Sequence, residues 1–174
     1  MNREEKNKFG NFVHEQRKKE EEVLEICQDI FANSRNELAV SMRYFQSALS
    51  ALKIVPSGET QVLGTDGKLL YVSPQWLLPM FMQNKVVINR LYLHELLHCL
   101  WSRKEREWRI WDLAADIAVE NILDELYQKA VYIRPNSFRR EKYQQWKTEH
   151  KVLTAEILYY DLLKCEEEEI ARLE

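Results

Sequence analysis

The stretch LYLHELLHCLW, residues 91–101, sets His94 and His98 four positions apart, with Glu95 directly after the first. On a helix, positions i and i+4 share a face, so both imidazoles can aim a ring nitrogen at one ion. Zinc accepts neutral imidazoles at about 2.0–2.1 Å and needs tetrahedral completion. Glu95 lies about 100° around the helix from His94. It can therefore stay off the metal and act as base towards a polarised water, which is the arrangement of metal-dependent hydrolysis. The competing reading of an HExxH run is a pair of surface histidines bonded to backbone or water. Against it, two His and a Glu among Leu91, Leu93, Leu96, Leu97 and Leu100 are costly to bury without a metal or a polar network.

A third ligand has to come from elsewhere. In WDLAADIAVENIL, Asp112, Asp116, Glu120 and Asp124 recur every fourth position and so form one helical stripe. Asp112 lies near the helix start, where a cap or dipole role suffices. Asp124 sits in a polar stretch and is expected to be solvated. Asp116, flanked by Ala115 and Ile117, is expected to be the most buried of the four and to ligate the metal. Glu120, one turn on, is expected to hold a histidine N–H, with ligation in place of Asp116 as the alternative. Ala114, Ala115 and Ala118 are small enough to let this helix approach the motif helix. The metzincin extension is excluded, because Trp101 and Lys104 stand where its glycine and its third ligand belong. Cys99 is rotated away from His98 and reads as packing. His14 and His150 sit in polar surroundings, so surface roles are expected. His150, Tyr159 or Tyr160 are candidates to steady an oxyanion.

These residues need elements to carry them. Helical spacing predicts a highly charged helix over about 12–32, then a second with Leu38, Met42, Phe45, Leu49 and Leu52 on one face, ending before Pro56. In TQVLGTDGKLLYVSP, two short β-prone runs flank Thr65-Asp66-Gly67, a hairpin signal. Ser73-Pro74 is a capping pair for a short helix that Pro79 should limit. Asn84 caps a long helix predicted from Lys85 to about Lys104, and another spans roughly Ile110–Tyr127. Residues 131–150 read as irregular, and a last helix starts near Thr154.

Composition sets outer limits. The 174 residues, 45% hydrophobic and 30% charged, suffice for one domain with a core, and only 4 Gly and 4 Pro favour long regular elements. A net charge of -3 gives no electrostatic reason to expect nucleic acid or an anionic membrane as partner. Arg139, Arg140, Lys142 and Lys147 interleave with Tyr143 and Trp146, but acids dilute the group and a solvated covering segment is expected. No run is long and apolar enough to span a membrane, and MNREEKNKFGNF lacks a secretory core. Cys27, Cys99 and Cys165 match no paired spacing, so reduced thiols in a cytoplasmic protein are expected.

Four blocks in order, LGTDGKLLYVSP, LHELLHCLW, WDLAADIAVENIL and LTAEILYYDLL, resemble the "putative metallopeptidase domain" family of bacterial and phage proteins, over roughly residues 35–164. That resemblance implies a zincin-like fold with Zn²⁺ held by His94, His98 and Asp116, in a domain that usually lies upstream of a von Willebrand A-like domain. The family tends to show Asn four residues after the ligating Asp, where this chain has Glu120, with Asn121 next. The expectation is a helix-dominated α+β domain over 1–174: a charged N-terminal helix over about 3–32, a metal-site core over about 35–164, and a small hairpin or sheet beside a helical bundle. Its expected activity is peptide-bond hydrolysis with Glu95 as general base. Leu69, Leu70 and Tyr71 would be the edge on which an extended peptide adds as a strand. The rival is a non-catalytic zinc-containing module that binds a peptide or partner domain.

Overall fold

The computed structural model describes residues 3–101 and 107–173, with side chains from residue 12 onward. It is helix-dominated α+β, as the patterning requires, with two compact units, Met1–Ile88 and Asn89–Glu174.

In the first unit α1 (Arg3–Ser41) runs without interruption where two helices were expected. The Asn33-Ser34-Arg35-Asn36 stretch holds neither Gly nor Pro, so nothing in it breaks a helix already propagating. The break comes at Met42, followed by a 3-10 turn (Arg43–Phe45) and the short α2 (Gln46–Ala51). Leu38, Met42, Leu49 and Leu52 are nonetheless all buried, because their spacing fixes the core face whether or not the helix is continuous.

Beyond α2 the chain turns into β1 (Lys53–Pro56), a strand where apolar spacing predicts the end of a helix. The hairpin is present: β2 (Leu63–Thr65) pairs antiparallel with β3 (Leu69–Val72). Its turn is built by Asp66, whose Oδ1 accepts from Lys68 N (2.9 Å) and Leu69 N (2.7 Å), and by Gly67 at φ 88°. The strand order is β1-β3-β2, with β1 parallel to β3. Leu69, Leu70 and Tyr71 therefore lie on the central strand, partnered on both sides except Leu69, which faces β1 alone in the register. This corrects the expectation of a substrate edge there. A peptide cannot add to a strand whose ladder groups are already used, and the sheet edges are β1 and β2.

Ser73 precedes α3 (Pro74–Gln83) in the expected cap position, although its hydroxyl makes no capping bond. Pro79 does not limit this helix. It forfeits one N–H and the helix carries on to Asn84, whose N–H closes on Met80 O. Asn84 Oδ1 then accepts from Val86 N (3.1 Å), opening α4 (Lys85–His98). The expected extension to Lys104 falls partly on 102–106, outside the described residues; α4 itself closes at His98.

The second unit is built on α5 (Trp108–Glu125), whose cap is Glu107 and not Asp112: the Glu107 carboxylate accepts from Arg109 N and Ile110 N. Ala114, Ala115 and Ala118 are buried in one cluster with Ala155, Leu158 and Leu162 of α7 (Ala155–Leu162). The small residues thus serve the α5–α7 approach, whereas a close approach to the motif helix had been expected. Residues 131–150 are not irregular throughout. Asn136 Oδ1 accepts from Arg139 N (2.7 Å) and starts α6 (Ser137–Glu149), which buries Tyr143 and Trp146. The last predicted helix divides into α7 and α8 (Glu167–Leu173).

Candidate metal centre

Two stripes of four-residue period face each other across α4 and α5. On α4 the stripe is Arg90, His94, His98; on α5, read in the opposite direction, it is Asp124, Glu120, Asp116. Arg90 Nη2 donates to Asp124 Oδ1 (2.7 Å) and Glu120 Oε2 (2.6 Å). His94 Nδ1 lies 3.0 Å from Glu120 Oε1, and its Nε2 lies 3.3 Å from Asp116 Oδ1. His98 Nε2 lies 2.8 Å from the same Asp116 oxygen and 2.9 Å from His94 Nε2. Each step of one turn on α4 meets one turn on α5, so helical periodicity alone sets the register of the site.

Three donor atoms thus converge: His94 Nε2, His98 Nε2 and an Asp116 oxygen, all within 4.8 Å of one another. Ligands of tetrahedral zinc at about 2.0–2.1 Å stand about 3.3 Å apart. The observed spacings of 2.8–3.3 Å need an expansion of at most a few tenths of an ångström to match. Charge agrees with geometry. Burial disfavours a charged His94, but the Asp116 and Glu120 carboxylates on its two nitrogens outweigh it and push the group up to about 9. Desolvation likewise opposes the Asp116 and Glu120 charges, yet the imidazoles, joined at Glu120 by Arg90, hold both carboxyls well below the usual range. The cluster therefore favours positive charge at its centre, and the donor set fits a divalent metal.

The expected site residues are placed as follows. His94, His98 and Asp116 come together. Asp116 is not the most buried acid of its stripe, however: its side chain is 54% exposed, against 19% for Glu120 and 16% for Asp124. The flanking Ala115 and Ile117 point into the core, and the residue between them faces outward, as helical rotation demands. Asp124, expected to be solvated, is held by Arg90 and by Arg139, whose Nη2 lies 2.9 Å from its Oδ1. Glu120 touches the outer nitrogen of His94 and not the converging pair, while Asn121 is buried. Glu95 is half-buried in the last turn of α4, and burial pushes its carboxyl up, only partly offset by His94 and His98. Cys99 is exposed and takes no part in core packing. His150 is engaged with Asp161 Oδ2 (2.5 Å), and the Tyr159 hydroxyl accepts from Glu107 N (3.0 Å).

Sequence reasoning missed Arg90 and Arg139. Arg90 has a side chain only 4% exposed, four positions before His94, and a lone Arg inside VVINRLYL was the available signal. Arg139 Nη1 donates to Glu120 Oε2 (2.8 Å), which required knowing that the segment after Pro135 is helical. The basic residues near it are paired as well, Lys142 with Glu169 and Lys147 with Glu125.

Residues 31–173 match the family described as "Putative metallopeptidase domain". The chain belongs to that family. No curated protein and no solved structure matches it. A metallopeptidase domain requires a metal ion, and among the described residues the histidine–aspartate cluster is one of two groups able to hold one. Among the described residues no helix is long and apolar enough to cross a membrane.

Proposed function

We propose that this protein is a zinc-dependent peptidase in which His94, His98 and Asp116 hold the metal and Glu95 is the general base. The observation that carries the reading is the convergence of three donor atoms within 4.8 Å beside a half-buried glutamate. Bound zinc supplies Lewis acidity, bringing the pKa of water to about 7 and polarising a carbonyl. Glu95 accepts the proton of the attacking water and delivers it to the departing amine. A carboxyl raised by burial suits both halves of that task, since it binds the proton firmly enough to carry it between them. Glu120 fixes the His94 ring by accepting a hydrogen bond from its Nδ1–H, which leaves the Nε2 lone pair for the metal. Arg90 and Arg139 hold Glu120 in turn.

The test is Glu95→Gln, which keeps size and hydrogen bonding but removes the basic oxygen. Elemental analysis should find one zinc per chain in both forms, and turnover of a diverse peptide library should fall about 10²–10⁴-fold. A wild-type protein without retained metal overturns the reading. Equal cleavage by both forms removes Glu95 from the chemistry. Zinc-loaded wild type that binds peptides without cleaving them supports a non-catalytic binding module.

A further inference from the structure

We propose that the cleft opening beside the metal cluster is a substrate subsite for a bulky apolar side chain next to the bond being cleaved. This rests on the peptidase reading above and adds a substrate class to it. His94 and Asp116 themselves line a cleft of about 570 Å³, so whatever occupies it lies against the donor cluster. That volume falls within the range of about 300–1,000 Å³ typical of small-ligand pockets.

Its apolar lining comes from every helix around it: Leu91 of α4, Leu113 and Ile117 of α5, Phe138 of α6 and Leu173 of α8. Leu113 and Ile117 stand one turn apart on α5, and their stripe runs alongside the one that carries Asp116, so the apolar wall adjoins the donor. Phe138 is 38% exposed and turns into this cleft, an arrangement that leaves ring surface available for a ligand.

The cations on the same lining do not make an anion site. Arg139 is taken by Glu120 and Asp124, and Lys142 by Glu169. Arg172 makes no ion pair among the described residues, but it shares an adjoining recess with Glu166, Glu168 and Glu169. A charged substrate side chain would lose hydration and find cations already balanced by acids. An apolar one gains by leaving water, and burying a Leu or Phe side chain corresponds to about 10–100-fold in affinity.

Amino-acid hydroxamates are suitable probes, because the hydroxamate chelates the metal and places one side chain beside it. Calorimetry of the zinc-loaded full chain should find phenylalanine and leucine hydroxamates bound about 10–100-fold more tightly than glycine hydroxamate. Aspartate and lysine hydroxamates should bind no more tightly than glycine. Phe138→Ala, at an exposed position, should retain zinc and lose most of the phenylalanine advantage. Phenylalanine hydroxamate should also shift the methyl resonances of Leu113 and Ile117. Equal affinity for glycine and phenylalanine hydroxamates with zinc retained overturns the subsite and leaves the peptidase reading standing, as does a preference for aspartate. A protein that retains no zinc overturns both.

Discussion

Among the described residues, two groups bring three metal-capable side chains within 4.8 Å: His94/His98/Asp116, and Glu149/His150/Asp161. By donor spacing alone they are equivalent. Their surroundings differ. In the second group the carboxylate is already satisfied: Asp161 Oδ2 meets His150 Nε2, and Oδ1 accepts from the Lys164 ammonium at 3.0 Å. Glu149 ends α6 and His150 is its C-cap, so two of the three donors hang from a helix terminus. In the first group His94 and Asp116 lie inside helices, His98 ends α4, and the rear nitrogen of His94 is fixed by a carboxylate that two arginines fix in turn. Proximity of donors is common, and the two groups differ in that only the first has a ring nitrogen held from behind by a carboxylate.

The sharpest way to break this comparison is to remove one imidazole from each group. His98→Ala should abolish tight metal retention, and Asp116→Ala should approach the same result. His150→Ala should leave metal content unchanged. Elemental analysis after gel filtration reads all three, and loss of metal from His150→Ala alone would reverse the two groups.

The next largest effect is on stability. Arg90→Met leaves Glu120 and Asp124 without the buried guanidinium that bridges them. The cost should be about 3 kcal/mol, the low end for breaking a buried ion pair, because Arg139 still reaches both acids. Denaturant unfolding of the metal-free protein checks it, and a change under 1 kcal/mol would show that the network carries little of the fold's stability.

Glu120→Ala removes an orienting contact and no ligand, so zinc affinity should fall about 10–100-fold. A competition titration with a chelator of known affinity measures this. Complete loss of metal here, with retention in Asp116→Ala, would exchange the two roles.

The smallest expected effect belongs to the second group. Desolvation works against the Asp161 charge, but Lys164 and His150 prevail and hold its carboxyl below 3.8. A carboxyl depressed on folding stabilises the protein above its unfolded pKa, and that contribution disappears as pH falls through about 4 towards the folded value. Solvent screening keeps it below about 1 kcal/mol. The acid limb of a stability–pH profile should flatten slightly in Asp161→Asn, and an unchanged limb would mean the pair contributes nothing.

The donor cluster was legible in the sequence because its members obey one local rule, the four-residue repeat of a helix face. His94, His98, Asp116 and Glu120 could be placed by counting. Burial was less legible, since neighbours on a helix point to different sides: Ala115 and Ile117 are in the core and Asp116 is not. The β1 strand escaped because Lys53–Pro56 continues the apolar spacing of the helix before it, and pairing with β3 across an intervening strand is non-local. α6 escaped for the opposite reason. Its thirteen residues are so polar that only Tyr143 and Trp146 record a buried face. The pairing of Arg90 and Arg139 with the acids of α5 escaped because those partners lie on a different helix, and no local pattern links them.

The Asp66-Gly67 turn bears on the chemical ageing of the protein. An aspartate followed by glycine is where a polypeptide most readily rearranges to isoaspartate, through attack of the glycine nitrogen on the aspartate carboxyl. Here that nitrogen donates to Thr65 Oγ1 at 3.0 Å, and the carboxylate is clamped by the amides of Lys68 and Leu69 and by the Tyr71 hydroxyl. Those amides also keep the carboxyl ionised, with its pKa below 3.8, and so a poor electrophile. The contacts that shape the hairpin thus protect its covalent backbone, and the protection lasts only while the turn stays folded.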